Sequence, residues 1–181
     1  MWTDVQTAAS RRSPERHTLS IQKYALLVTV SGATLALDCL TKAWARSHLR
    51  PFRPVHWGPY ITWALKRNDS LRLLPCLHGE VARALLPLLM AVAAIAVWIA
   101  YRGMRANAPL LAWGYAFIFG GALGNLLDRL QFGYVTDFID LHLAVGGLER
   151  HSATINIADI TIAVGAGLLV VGAARPATRP I

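Results

Sequence analysis

Four stretches of the sequence are each long and apolar enough to cross a membrane as a helix. A membrane-spanning helix needs about 20 mainly apolar residues, and these stretches lie at about 24–45, 81–101, 108–127 and 153–174. Charged residues make up only 15% of the chain, whereas soluble domains carry roughly 25%. The sequence therefore predicts an all-α membrane protein with four transmembrane helices, and it excludes both a soluble domain and a disordered chain.

The connections between these spans differ greatly in length. Residues 102–107 join the second span to the third, whereas the connections at 46–80 and 128–152 are long. Because four spans return the chain to the side where it began, both long connections lie on one face and both termini on the other. The density of basic residues near the termini favours a cytoplasmic location for them. The predicted organisation is an N-terminal tail at 1–23, one four-span domain at 24–174 and a C-terminal tail at 175–181.

The first long connection contains a pattern typical of a β-strand. Residues 55–65 are rich in β-branched and aromatic side chains, within a segment rich in Pro, Gly and Trp. We therefore expect a small surface β-sheet here, forming a cradle with Trp57, Tyr60 and Trp63 at the level of the lipid headgroups. The stretch at 131–142, in the second long connection, is interpreted as an amphipathic segment in the membrane interface.

The third span ends in small and polar residues. Gly120 and Gly124 are four residues apart, a spacing that allows another helix to approach closely. Asn125, Asp128 and Arg129 follow at positions i, i+3 and i+4, so they share one face of the helix. The structural interpretation of this group is an interfacial helix end with an Asp128–Arg129 ion pair, and a functional role for these residues is the alternative.

Ionisable residues inside a membrane are expensive and are functional candidates by default. Asp38 and Lys42 are four residues apart in the first span and can pair on one helix face, and Asn156 and Asp159 share a face at the start of the fourth. The topology brings several polar groups to the face of the long connections: Asp38, Asn68, Asp128, Asp137 and Asp159. Two carboxylates that share a proton there could activate water to attack an amide. Spacing alone leaves Asp128 and Asp137 as rival partners for Asp159.

Other chemistries find little support in the sequence. It contains no His-Glu-x-x-His zinc motif and no Gly-x-Ser-x-Gly elbow, and its six His residues are dispersed. The two cysteines, Cys39 and Cys76, are too few for a disulfide framework. The chain carries 18 Lys and Arg against 10 Asp and Glu, but the basic residues are scattered around the apolar runs. We therefore expect no metal, no cofactor and no nucleic-acid partner.

Four sequence blocks occur in order along the four spans: Asp-Cys-Leu-Thr-Lys at 38–42, Gly-Ala-Leu-Gly-Asn-Leu-Leu-Asp-Arg at 121–129, Gly-Tyr-Val-Thr-Asp-Phe-Ile-Asp at 133–140 and Asn-Ile-Ala-Asp at 156–159. In these blocks the chain resembles the lipoprotein signal peptidase (signal peptidase II) family over roughly 24–174. The resemblance implies a membrane aspartyl endopeptidase of the bacterial inner membrane. Such an enzyme removes the signal peptide of a prolipoprotein just before its diacylglyceryl-modified cysteine, at the periplasmic face.

The resemblance also implies roles for individual residues and partners. It implies that Asp137 and Asp159 are the catalytic aspartates, and that Asp128 belongs to a supporting pair with Arg129. The supporting and substrate-binding residues that it implies are Asp38, Lys42, Asn68, Asn125, Asp128, Arg129 and Asn156. The expected partners are a diacylglyceryl-modified prolipoprotein and membrane lipids, and the expected state is a monomer.

The chain departs from the family pattern in the first long connection. The family has Asn-x-Gly followed by x-Ala/Ser-Phe, whereas this chain keeps only Asn68 of that motif. Ile155 stands where the family has Phe, and the stretch at 141–154 is longer than usual. These differences keep open a divergent paralogue that binds lipoproteins without cleaving them. A proton-coupled transporter is a further alternative, but it requires polar residues through the depth of the bundle, and the second span has few.

Overall fold

The computed structural model describes residues 2–69, 79–105, 107–145, 148–151 and 154–174. Cys76 and the predicted C-terminal tail at 175–181 lie outside this range. The helices are α1 (Trp2–His48), α2 (Gly79–Gly103), α3 (Pro109–Phe132) and α4 (Ile157–Ala174). The strands are β1 (Val55–Trp57), β2 (Ile61–Asn68), β3 (Val135–Val145) and β4 (Leu148–His151).

In the described part of the chain, four helical segments are long and apolar enough to cross a membrane. They are Ser20–His48, Ala84–Gly103, Pro109–Phe132 and Ile157–Ala174. Each overlaps one of the four spans predicted from the sequence, so the predicted fold class is confirmed. The first helix differs in extent, because α1 begins at Trp2 and continues through the segment interpreted as a separate tail.

Helix α3 lies at the centre of the bundle and contacts α1, α2 and α4. Its glycines allow the close contacts. A Cβ added to Gly120 would lie 2.7 Å from the carbonyl oxygen of Ser31 in α1, and one added to Gly124 would meet the Asp38 carboxylate. On the α4 side, a Cβ at Gly121 would lie 2.7 Å from the carbonyl oxygen of Ala158. The predicted close approach at Gly120 and Gly124 is thus confirmed, and α1 is the helix that approaches.

Both long connections contribute to a four-stranded antiparallel sheet in the order β1-β2-β3-β4. Asn68 of β2 lies opposite Val135 of β3, and Lys66 lies opposite Asp137. The sheet expected in the first connection is therefore present, and two strands of the second connection extend it. From Val135 onward, the segment 131–142 is a strand that pairs with β2, and its expected location in the membrane interface stays a prediction.

The turn from α3 into β3 is made by Gly133. This residue has a φ of 77° and donates its N–H to the carbonyl oxygen of Arg129 at 2.9 Å. Such a left-handed residue ends a helix at little cost when it is glycine. The turn directs β3 across the end of α1, where Phe138 and Ile139 are buried against Ala45 and Leu49. The sheet therefore covers the end of the bundle at which the polar residues of α1, α3 and α4 meet.

Aromatic rings fasten this sheet to the bundle. The ring of Trp63 stacks on Phe138 with 6.1 Å between centroids and contacts Trp44 of α1 edge-on at 5.8 Å. Trp57 and Tyr60 remain mostly exposed. The expected location of Trp57, Tyr60 and Trp63 at the headgroups stays a prediction.

Candidate active site

The first turn of α4 is held by two residues that cap it reciprocally. The backbone N–H of Asp159 donates to the side-chain oxygen of Asn156 at 3.0 Å, and the backbone N–H of Asn156 donates to Asp159 Oδ2 at 3.1 Å. This is the arrangement of a capping box, in which a side chain at the N-cap and one three residues later satisfy backbone donors of the helix end. The sequence Asn-Ile-Ala-Asp thereby starts the helix and fixes the Asp159 carboxylate at the N-terminus of α4.

Asp137 projects from β3 toward the same asparagine. The side-chain amide of Asn156 donates to Asp137 Oδ1 at 2.8 Å, and that of Asn68, at the end of β2, donates to Oδ2 at 3.0 Å. Asp137 is 2% exposed, whereas Asp159 is partly exposed. Asn156 therefore touches both aspartates and sets their relative positions.

Asn125 of α3 connects Asp159 to a buried cation. Its amide nitrogen donates to Asp159 Oδ1 at 3.0 Å, while its oxygen accepts hydrogen bonds from Lys42 Nζ at 2.7 Å and from Asn156 Nδ2 at 3.2 Å. Because the lysine ammonium can only donate, it fixes which end of the Asn125 amide faces Asp159.

The predicted pair of Asp38 and Lys42 is present and fully buried. Lys42 Nζ lies 2.7 Å from Asp38 Oδ2. The other Asp38 oxygen accepts the backbone N–H of Ala158 at 2.9 Å. A carboxylate at this place is stabilised by the N-terminal dipole of α4 as well as by the hydrogen bond. The pair thus joins α1 to the helix that carries Asp159.

Asp128 is held by cations of α1, which corrects the predicted partner. Asp128 Oδ1 lies 3.0 Å from Arg46 Nη1, and its Oδ2 lies 3.6 Å from Lys42 Nζ and accepts the backbone N–H of Thr136 at 2.7 Å. The structural interpretation of the sequence paired Asp128 with Arg129, its neighbour in the chain, because the sequence alone does not show which residues of another helix lie close by. Arg129 is buried and interacts electrostatically with Asp137 and Asp69.

Arg46 and Thr136 are site neighbours that the sequence reasoning did not identify. Arg46 follows Lys42 by four residues, so the same i, i+4 spacing that paired Asp38 with Lys42 could have pointed to it. No comparable signal marks Thr136, which is completely buried only because β3 folds over the end of α3. Asp140, further along β3, forms its ion pair with Lys66 at 3.4 Å.

The surroundings of Asp137 raise its pKa to about 6, chiefly because burial penalises the charged carboxylate and secondly because of the negative charge of Asp159. Hydrogen bonds from Asn68 and Asn156 and the charge of Lys42 act in the opposite direction. Two carboxyl groups close together can hold one proton between them, one acting as acid and the other as base. Among the described residues, no group of three or more His, Cys, Asp or Glu side chains is arranged to hold a metal ion.

The fold and the site define a polytopic membrane protein with two aspartates held together at one end of a helical bundle. The family model described as "Signal peptidase (SPase) II" matches residues 30–175, and the chain belongs to this family. It is therefore an aspartic endopeptidase and a multi-pass bacterial membrane protein, which confirms the family indicated by the four sequence blocks.

Relatives that are similar to this chain agree with this assignment. The lipoprotein signal peptidase of Polynucleobacter necessarius is 34% identical over 159 residues, which cover 87% of this chain and 92% of the relative. The lipoprotein signal peptidase of Coxiella burnetii strain RSA 493 is 35% identical over 145 residues, 78% of this chain and 85% of the relative.

Two solved structures of a bacterial membrane enzyme, obtained by the in meso method at 1.9 Å and 2.3 Å resolution, share this fold. Their TM-scores to this chain are 0.70 and 0.71, at 20% sequence identity in both cases. The matches cover 82% and 86% of this chain and 92% and 93% of the solved chains. The sheet-capped four-helix architecture is thus one adopted by an experimentally determined membrane enzyme.

Proposed function

We propose that this protein removes signal peptides from prolipoproteins by cleaving just before a diacylglyceryl-modified cysteine, with Asp137 and Asp159 activating the attacking water. The observation that carries the proposal is the joint attachment of both aspartates to Asn156, one to its side-chain amide and the other to its backbone N–H. The names of the relatives supply the substrate class, since they are lipoprotein signal peptidases.

The two aspartates have different surroundings, which suggests different roles. Asp137 is deeply buried and its pKa is raised to about 6, so it is the member of the pair that holds a proton more readily. Asp159 is partly exposed, and its carboxylate accepts hydrogen bonds from Asn125 and the backbone N–H of Asn156. We therefore assign Asp159 as the general base and Asp137 as the general acid.

In the proposed reaction, Asp159 takes a proton from the water as its oxygen attacks the scissile carbonyl carbon. Asp137 donates its proton to the carbonyl oxygen, which yields a tetrahedral diol. Asp159 then passes its proton to the leaving nitrogen as the C–N bond breaks, and Asp137 recovers a proton from the diol to leave a carboxylic acid. Each aspartate ends in its starting protonation state. General acid–base catalysis of this type contributes on the order of 10²- to 10⁴-fold in rate.

The position of the site suits a lipid-modified substrate. Asp38 and Lys42 lie within the candidate membrane span of α1. We therefore propose that the adjoining aspartates lie near the boundary between acyl chains and headgroups. Leu37 and Leu40 of the same helix are 52% and 69% exposed, which leaves an apolar surface beside the site for acyl chains. We place the site at the periplasmic face, opposite the termini, and assign the enzyme to the inner membrane as a monomer surrounded by lipid.

The test is cleavage of a purified prolipoprotein precursor by the full-length protein in detergent micelles or liposomes. Asp137→Asn and Asp159→Asn should each lower kcat by on the order of 10²- to 10⁴-fold, with the protein still inserted and folded. Asp140→Asn is the matched control, because Asp140 lies on the same strand but pairs with Lys66. It should retain most of the wild-type rate.

Substrate specificity is tested with the same precursor in its lipidated and unlipidated forms. Wild-type protein should cleave the lipidated form and leave the unlipidated one largely intact. Full cleavage by both asparagine variants would refute the assigned aspartates. Binding of the lipidated precursor without any cleavage by the wild type would instead identify the non-cleaving paralogue, which is motivated by the altered motif at Asn68.

A further inference from the structure

The part of β3 around Asp137 pairs with β2 along one edge. Along the other edge, it is held by the carboxylate of Asp128. Beyond this segment, β3 is paired along its second edge with β4 at 142–145 and with Ile155 at Ile139. At Thr136 the backbone N–H instead donates to Asp128 Oδ2 at 2.7 Å. The location of the backbone immediately before Asp137 therefore depends on where the Asp128 carboxylate is held.

Arg46 is the cation that holds this carboxylate most directly. Its Nη1 lies 3.0 Å from Asp128 Oδ1, whereas Lys42 Nζ is 3.6 Å from Oδ2 and has closer contacts, at 2.7 Å each, with Asp38 and Asn125. A carboxylate that is 5% exposed requires such a counter-ion, because an uncompensated buried charge is strongly unfavourable.

The same nitrogen of Arg46 also binds the strand itself. Nη1 donates to Thr136 Oγ1 at 2.9 Å, so Arg46, Asp128 and Thr136 form a closed ring of hydrogen bonds between α1, α3 and β3. The guanidinium carbon lies 4.4 Å from the centroid of the Phe132 ring, whose face covers it. This contact restricts the side chain to the geometry in which both hydrogen bonds form.

We propose that Arg46 is a positioning residue for the cleavage reaction, acting through Asp128 and Thr136 to hold Asp137 in register with Asp159. Arg46 acts on Asp137 indirectly, because it contacts Asp128, Thr136 and Phe132. An arginine serves this role better than a lysine, because its rigid guanidinium holds a fixed hydrogen-bonding geometry. The inference rests on the proposed function, which the Asp137 and Asp159 variants test separately.

The experiment compares Arg46→Met with Arg46→Lys, Thr136→Val and the control Arg53→Met in full-length protein. Arg53 is an exposed arginine in the connection after α1. Arg46→Met should lower kcat by at least roughly tenfold with little change in KM, because small displacements of catalytic groups cost rate. Arg46→Lys should recover part of the loss, Thr136→Val should show a smaller loss, and Arg53→Met should match the wild type.

A second readout separates positioning from simple stabilisation. The charged groups facing Asp137 are Asp159 on α4, Lys42 on α1, Arg129 on α3 and Lys66 opposite it on β2. Loss of Arg46 leaves the nearby Asp128 charge less compensated. The titration of the Asp137 carboxyl, assigned in infrared difference spectra by its loss in Asp137→Asn, should therefore move to higher pH in Arg46→Met.

This spectroscopic measurement needs no turnover, so it tests the role of Arg46 even if the wild type does not cleave. An unmoved Asp137 titration together with a kcat equal to that of Arg53→Met would overturn the proposal. The proposal also fails if the lost activity of Arg46→Met tracks only a lower thermal stability. If Arg46→Met does not fold, Arg46→Lys and Thr136→Val test the proposal in its place. A wild-type kcat and a wild-type Asp137 titration in both variants would refute the proposal.

Discussion

Asn156 and Asp159 each accept a hydrogen bond from the backbone N–H of the other, at 3.0 Å and 3.1 Å, across the first turn of α4. The same Asn156 uses its side-chain nitrogen to bind Asp137 at 2.8 Å. One residue therefore starts a helix and also connects two carboxylates that lie on different elements. Substitutions of Asn156 should therefore separate its role in capping α4 from its role in connecting Asp137 to Asp159.

Replacing Asn156 by Ser should preserve the helix cap but lose the donor to Asp137, since a serine oxygen still accepts the N–H of Asp159. We expect Asn156→Ser to retain most of the stability while cleavage falls by at least roughly tenfold. Asn156→Ala should lose both, with about 1 kcal/mol less stability. Thermal unfolding in detergent, followed by circular dichroism, and the cleavage rate measure the two effects. Wild-type cleavage by Asn156→Ser would contradict the assigned role.

Gly124 allows α1 and α3 to meet at the Asp38 carboxylate, so Gly124→Ala should disrupt the site. The added Cβ would lie 3.0 Å from Asp38 Cγ and even closer to its Oδ2. We expect a loss of about 1–3 kcal/mol in stability from overpacking, and loss of activity as Asp38 shifts away from the start of α4. Unfolding and cleavage assays on the purified variant measure both.

Gly167→Ala provides the matched control for this substitution. Gly167 lies in α4, and a Cβ there would meet nothing within 4 Å. Because alanine favours helices over glycine by about 1 kcal/mol, this variant should be as stable as the wild type or slightly more so, with unchanged activity. If Gly124→Ala and Gly167→Ala destabilised the protein equally, the loss of a glycine would explain the effect, and the contact with Asp38 would not.

Lys42→Met should strongly destabilise the protein, because it leaves the buried Asp38 without its closest counter-ion. Removing one partner of a buried ion pair costs about 3–5 kcal/mol. Adding Asp38→Asn should recover part of the stability, since the neutral amide oxygen can still accept the N–H of Ala158. Activity should stay low in the double variant, as Asn125 has lost the cation that orients it. Thermal unfolding of the single and double variants measures this recovery of stability. Equal instability of the two variants would contradict the prediction.

The raised pKa of Asp137, about 6, makes stability depend on pH in a defined direction. A carboxyl whose pKa is higher in the folded than in the unfolded state contributes stability below the unfolded value, near 4, and loses it as pH rises to about 6. The two pKa values correspond to at most about 3 kcal/mol. Asp137→Asn should therefore gain stability relative to the wild type between pH 4 and 7. Parallel unfolding midpoints across this range, with Asp140→Asn as control, measure the difference.

Apolar runs in the sequence were sufficient to predict the membrane-spanning helices and that both long connections lie at the same end of the bundle. A run of about 20 apolar residues has few alternatives to a spanning helix, and the short connection at 102–107 forces α2 and α3 to be neighbours. The pairing of Asp38 with Lys42 was also predictable, because both residues belong to one helix and four-residue spacing places them together.

Contacts between elements could not be predicted in the same way. Spacing left Asp128 and Asp137 as rival partners for Asp159. The structural interpretation of the helix end paired Asp128 with Arg129, whereas the folded chain places Arg46 of α1 against Asp128. The strand character of β3 was missed because its alternation is weak and its stability comes from β2, more than 60 residues earlier in the chain.

The sequence by itself determined the number of spans, their order and the collection of acidic residues at one end, because these follow from apolar length and local spacing. Only the tertiary structure decided which of those acids share a hydrogen-bonding partner. That choice depends on β3 lying over the end of α1 and on Asn156 reaching both Asp137 and Asp159. The physical reason is that burial and hydrogen bonding at the site arise between elements distant in sequence, and no local pattern records where those elements meet.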